Sequence, residues 1–316
     1  MTEPQSQPRP PWFAGRRGTV LLYRVNRRPL SHPTLGGDDP HESVMDHIVE
    51  VLRFGEKVPT GPAARQREWL LGNRHILRGE SALTGQVGWE RDVEEQTSRY
   101  DRETQEWRDE VGVAGQSARA PFAFDGNTRV LGVLKHASFR ETTIAHVFQT
   151  LLREGENAME WPTTEWSVEP ILDERDFFAW LESVQSVTSI TMVAKLPNPD
   201  GLEEFGPVWQ EMQDRQARLI STKLVAADDE VGLQGLRQDA RLQGNLAMGT
   251  QGFGHVLAKG RQNGHDKPFD QRDKVAREVV DELGQTWEEG SQVVLDTTRQ
   301  SGPRILRWRD RGRHSR

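Results

Sequence analysis

Cysteine is absent from all 316 residues, which excludes disulfides and thiolate metal sites and fits a reducing cytoplasm. No stretch approaches the roughly 20 consecutive apolar residues that span a bilayer, and the start, MTEPQSQPRPPWF, lacks the apolar centre of a signal peptide. Membrane insertion and secretion are therefore not expected, and the expected location is the cytoplasm. Lysine is scarce, seven residues against 34 arginines, a bias typical of a GC-rich bacterial genome. No glycine-rich phosphate loop ending in Lys-Ser or Lys-Thr occurs, nor a GxGxxG fingerprint, nor a GxSxG nucleophile turn. Apolar content is also low, at 34% with a mean hydropathy of -0.73. Ten Trp and eleven Phe nevertheless supply the bulky core material that disordered chains lack.

What is present is an uneven charge distribution. Residues 1–28 sum to +5 and residues 299–316 to +6, so the total of -7 leaves -18 on residues 29–298. Basic ends on an acidic body are a pattern of arms that touch nucleic acid, and also of short arginine-rich tails that bind nothing.

The length favours two domains. Residues 1–17 read as a disordered arm, residues 18–158 and 164–298 as two α+β domains, and residues 299–316 as an arginine-rich tail. The expected fold class is α+β, each domain a mixed sheet packed with helices, with a basic β-hairpin towards the C-terminus. In the first domain, Thr19–Val25 reads as a buried strand and Asp39-Pro40-His41-Glu42 as a helix start carrying Val44, Ile48, Val51 and Leu52 on one face. His41 and His47, six apart, fall on different faces of that helix and are expected at the surface. Residues 90–110, nine acidic and four basic, read as an exposed, charge-laced helix. Asp125-Gly126-Asn127 has the composition of a tight turn between two strands. Ser138-Phe139-Arg140-Glu141 reads as a capping box, opening a helix closed by Gly155.

Beyond a boundary at Glu156–Thr164 the pattern alternates: strand 165–172, helix 173–184, strand 189–196, helix 202–216, strand 219–225 and helix 233–248. A hairpin around Asn263-Gly264, a helix over Lys274–Trp287 and a strand over Gln292–Leu295 complete it.

Lys259, Arg261, Lys267, Arg272, Lys274 and Arg277 cluster on and just after the hairpin, and Arg307, Trp308 and Arg309 lie in the tail. Cationic side chains on a two-stranded ribbon can track phosphates, and a tryptophan between arginines can stack on a base or anchor the tail. These nine residues are the candidate nucleic-acid contacts. His255, His265, Asp266, Asp270 and Asp273 are the densest local supply of metal ligands or acid/base groups, but a hairpin splits them between faces. Turn and cap roles already suit Asp266 and Asp273. No cofactor is implied.

The chain resembles, in layout, bacterial anti-phage proteins of the Rex-type and Kiwa-type DNA-associated subunits. The resemblance rests on Phe122-Ala-Phe-Asp before a strand, the Pro197-Asn-Pro corner, and the Gly252-Phe-Gly to Asp273 hairpin before a final helix and strand. It implies a non-catalytic nucleic-acid-binding or sensing subunit in phage defence, able to form oligomers. Two alternatives stand beside it: an assembly component pairing with a partner subunit through the hairpin, and a metal-dependent nuclease using His265 or Asp270.

Overall fold

The computed structural model describes residues 10–29, 43–55, 57–101, 106–159, 164–195 and 206–306. The helix start at Asp39–Glu42, the Pro197–Pro199 corner and the tail residues Arg307, Trp308 and Arg309 lie outside them. Among the described residues no helix is long and apolar enough to cross a membrane.

The apolar run of β1 (Gly18–Pro29) is what a strand covered on both faces requires, and Val20, Leu21, Leu22 and Tyr23 are fully buried. Around it forms an antiparallel sheet of β2 (Val58–Thr60), β3 (Arg67–Leu77), β4 (Ala82–Asp101), β5 (Glu106–Asp125), β6 (Val130–Leu134), β7 (Thr164–Pro170) and β12 (Arg277–Val280). One edge of β1 pairs with β6. The other is shared in tandem, by β12 along Gly18–Leu21 and by β7 along Tyr23–Pro29.

Helices cover both faces of this first sheet. Helices α1 (Val44–Val51) and α2 (Glu141–Ala158) lie on one side, where Phe148 packs edge-on to Phe122, while α6 (Trp287–Leu306) lies on the other, with Val294 and Thr298 against Gly132. A buried carboxylate ties α1, α2 and β7 together. Glu156 accepts from Trp166 Nε1 at 2.8 Å and from the Thr164 amide at 3.1 Å, and lies 2.8 Å from His47 Nε2. His47 is thus fully buried rather than at the surface.

The second sheet is smaller, ordered β11-β10-β8-β9, from β8 (Ser186–Lys195), β9 (Leu219–Val225), β10 (Gly254–Gln262) and β11 (His265–Asp270). Helices α3 (Glu174–Ser183), α4 (Gly206–Asp214) and α5 (Ala240–Thr250) belong to it. Phe177, Trp180 and Phe269 stack among themselves with centroids 5.4 to 5.7 Å apart, filling its core with Ile190, Met192 and Val256. The stretch 164–298 contributes to both sheets, since β7, β12 and α6 all join the first.

Four expectations are corrected. Residues 90–101 and 106–110 are not helical: β4 and β5 pair without a break from Ala82–Asp125 to Asp101–Glu106, while β3 stops opposite Glu90. Beyond it, Arg91–Asp101 pairs with Glu106–Gln116 as a two-stranded ribbon. Lys274–Trp287 is not a helix, because Val275 bridges to Leu172, Arg277–Val280 pairs with β1, and Gly284 turns at φ +75°. Gln292–Leu295 is not a strand but lies inside α6, whose start is fixed by a capping box: Thr286 Oγ1 accepts from the Glu289 amide, and Glu289 accepts from the Gln285 and Thr286 amides. Ser138 does not cap α2, whose cap position is Arg140; its hydroxyl meets His136 Nδ1 at 2.8 Å instead. Helix α2 also runs three residues past Gly155.

Gly155 is where α2 presses on α1. A Cβ there would sit 2.1 Å from the Val51 carbonyl oxygen, a backbone atom that cannot swing aside. Gly155→Ala is expected to lower stability by about 1–3 kcal/mol by overpacking, whereas Gly72→Ala, with nothing within 4 Å, changes it by about 0.5 kcal/mol or less. Denaturation midpoints of the two variants check this; equal midpoints would refute the close contact.

Candidate nucleic-acid interface

The second sheet has two unlike faces. Val256, Ala258, Ile190, Met192 and Ala194 point to the helices and are buried. Side chains alternate along a strand and cross-strand partners share a face, so the register defines the opposite face row by row. One row reads Asp270, Leu257, Thr191, Lys223, and the next Pro268, Lys259, Ser189, Val225. Further along, His255, Val193 and Ser221 form a row, and Lys195 with Leu219 ends the face. Among the described residues no helix packs on this side, and Val225 and Leu219 are 62% and 53% exposed.

The face carries hydroxyls and cations among aliphatic side chains and the Asp270 carboxylate, and among the described residues no Phe, Tyr or Trp. Lys223 and Lys259 are exposed and make no ion pair among the described residues. Arg261 is held loosely, 3.6 Å from Asp229 and 4.0 Å from Asp266. From the row of Lys259 to Lys195 is six residues along β8, roughly 20 Å at a strand rise of about 3.3 Å.

His255 senses this environment. Burial first, then the nearby charges of Arg272 and Lys195, lower its pKa to about 4 against the opposing influence of Asp270. Its imidazole is therefore neutral near pH 7, and two of the causes are cations.

The six candidate contacts on and after the hairpin do not form one patch. Lys259 and Arg261 lie on the open face, and Arg272 reaches its edge in a fork with Asp270, its Nη2 2.6 Å from Oδ2. Lys267 pairs with Gly260 and so lies on the helix side, where its carbonyl accepts from Trp180 Nε1 at 3.3 Å. Lys274 is exposed beyond β11, and Arg277 sits in β12 of the first sheet, 2.9 Å from Glu141. His265 is exposed at the turn, and Asp270 caps the short helical turn that follows β11 and holds Arg272, which lowers its pKa even against the opposing effect of burial. Among the described residues no three carboxylates or imidazoles converge as metal ligands would.

The sequence reading missed Lys195, Lys223 and a cleft beside them. The cleft, about 300 Å³, opens between β1 and β7 of the first sheet and the ends of β8 and β9. Lys195 ion-pairs with Glu169, Arg28 lies 3.8 Å from Glu165, and Arg218 also lines it. Gly252, at φ +78°, lies so close to β1 that a Cβ would be 2.6 Å from that of Arg24. The only available signal was alternation: Arg24, Asn26 and Arg28 in β1 face residues of like polarity, Glu169, Ser167 and Glu165, in β7.

A family model described as a domain of unknown function, DUF4747, matches residues 62–295, so the chain belongs to that family. No curated protein matches the chain. A solved structure of a PDZ domain protein from Parabacteroides distasonis aligns at 8% identity over 84% of this chain and 73% of that one, with a TM-score of 0.10, too slight a likeness to bear on fold.

The position of His255 has a measurable consequence. Its folded pKa of about 4 lies below the ordinary histidine value of about 6.5. Between these values the unfolded chain takes up a proton that the folded chain refuses, so this residue's contribution to stability falls as pH drops from about 6.5 to 4. His255→Gln should flatten that part of the stability curve relative to the parent, and the His255 resonances should titrate near pH 4. Titration near 6.5 would refute the buried, cation-flanked setting.

Proposed function

We propose that this member of the DUF4747 family is a non-catalytic subunit that binds single-stranded nucleic acid across the open face of its second sheet. The observation that carries this is a sheet face left without helices, on which Lys223 and Lys259 stand exposed and without carboxylate partners among the described residues. A strand of nucleic acid laid over a sheet can meet such lysines with successive phosphates. With no aromatic platform, affinity comes from phosphate charge and is indifferent to sequence. A place in phage defence belongs to the same proposal and rests only on the resemblance in layout to Rex-type and Kiwa-type subunits. Of that layout, Phe122–Asp125 before β6 and the β10–β11 hairpin are present, but a strand and then a helix follow, the reverse of the expected order.

Assembly with a partner subunit or a second copy is the other reading, and the Arg91–Gln116 ribbon favours it. The edge of β11 is poorly suited to strand addition because Pro268 lacks an amide hydrogen and Asp266 and Lys267 flank it. Among the described residues no third strand pairs along the ribbon. Replacing residues 91–116 by an Asn-Gly turn should reduce any oligomer seen by light scattering to a monomer, and an unchanged mass would remove this role.

Contacts from Lys195, Lys223 and Lys259 on this face imply a log–log salt slope of about -2 for a single strand. Fluorescence anisotropy should show affinity falling by about tenfold or more between 50 and 200 mM salt. Lys223→Glu with Lys259→Glu should weaken binding by at least about tenfold, while Lys267→Glu on the opposite face leaves it nearly unchanged. Binding that survives the double reversal would sink the assignment of this face.

A further inference from the structure

The lysine track does not end in open solvent. Lys195 and Leu219, the last pair on the open face, are also the first residues of the cleft between the two sheets. The cleft is built for a polar occupant. Asn26 is only 8% exposed, lines the cleft, and its carboxamide has no hydrogen-bond partner among the described residues. Its polar atoms open onto the cleft, where water or a polar ligand can meet them. Gln149 of α2 and Ser167 of β7 also line the cleft with side chains that lack protein partners among the described residues.

The charge is also specific. Among the described residues that line it, Arg28, Lys195 and Arg218 stand against Glu165 and Glu169, three cations to two carboxylates. The pair Arg28–Glu165, at 3.8 Å with Glu165 more than half exposed, is longer than a hydrogen bond and open to exchange for a stronger acceptor. Two of the three cations are guanidinium groups, whose planar fork fits phosphate oxygens. At about 300 Å³ the volume lies at the low end of small-ligand sites, room for a single nucleotide unit.

We propose that the cleft seats the phosphate-bearing terminal nucleotide of the strand whose backbone crosses the open face. This rests on the nucleic-acid reading above and adds to it a preference for strand ends. A terminal phosphate monoester carries about -1.5 to -2 charges near pH 7, against -1 for an internal diester, so a partly buried site with three cations favours the end. Asn26, Ser167 and Gln149 then donate to phosphate or sugar oxygens, and Lys195 joins the face to the cleft. The step is one of binding only; no bond is made or broken.

The test uses the full chain and one single-stranded 12-mer in three forms: 5′-phosphorylated, 3′-phosphorylated and with both ends free. A nucleoside 5′-monophosphate and inorganic phosphate are titrated separately by calorimetry. One end-phosphorylated form should bind about tenfold tighter than the unphosphorylated strand. Arg218→Ala, at an exposed position, and Ser167→Ala should each weaken the end-phosphorylated strand more than the unphosphorylated one, so that the difference between the two strands is lost. Equal affinity for all three strands, or an end preference kept in Arg218→Ala, overturns the proposal. The two readings fail separately. Strand binding that depends on Lys223 and Lys259 but ignores the end phosphate sinks the cleft alone. Mononucleotide binding lost in Arg218→Ala, with strand affinity untouched by the lysine reversals, sinks the face and leaves the cleft as a free-nucleotide site.

Discussion

The division of one edge of β1 between two strands is the constraint on which the rest of the molecule depends. Residues 18–21 hold β12 and residues 23–29 hold β7, so the same strand receives the chain just before it enters the second sheet and just after it leaves. The second sheet, with its helices, is an excursion tied at both ends to neighbouring rungs of one ladder. The tie is reinforced where the two strands meet. The Ile171 amide donates to the Leu22 carbonyl, the Leu22 amide to that of Ala276, and the Ala276 amide to that of Ile171. Three segments distant in sequence thereby close one hydrogen-bonded knot, with Leu172 bridged to Val275 beside it.

That tie explains why a cleft exists between the sheets and why it is polar. Past Tyr23, β1 leaves the cover of α6, and its residues on that side change from Val20 and Leu22 to Arg24, Asn26 and Arg28. The second layer meets this polar surface with Lys195, Arg218 and the Gly252-Phe253 corner. Contact is made by a few strong points: Lys195 with Glu169, the Arg24 guanidinium over the Phe253 ring at 5.9 Å and its bond to the Thr128 carbonyl, and the backbone of Gly252 against β1. An apolar seam would have closed completely; paired charges with their hydration leave concave space between them.

Legibility followed how local each signal was. The apolar run of β1, the 219–225 strand and α2 were readable because the residues that decide them are adjacent or one turn apart. The Lys274–Leu295 stretch was misread because Val275, Val279, Val280 and Leu283 match helical spacing by coincidence, while β1, distant in sequence, recruits Arg277–Val280 as a strand. The Thr286–Glu289 box that starts α6 was available in the sequence and outweighs the β-branched Val293-Val294 pair after it. His47 could not be placed because its partner Glu156 is more than a hundred residues away. The candidate site was half legible for the same reason. Lys259 and Arg261 stand out in a basic run, but which face each occupies depends on register, and Lys195 and Lys223 become their neighbours only once β8 lies between β9 and β10.

The acidic remainder of the chain then takes on a role in the proposed binding. A polyanion is repelled by carboxylates, and residues 91–116 alone carry eight of them against four arginines. On the proposed reading a phosphate backbone favours a place where carboxylates are absent or already paired, and among the described residues the open face of the second sheet is such a place. Repulsion elsewhere sharpens the choice of site without adding any contact. In the proposed binding, modest attraction from a few lysines directs a strand to one face, and the proposed cleft site at the Lys195 end gives that strand its orientation.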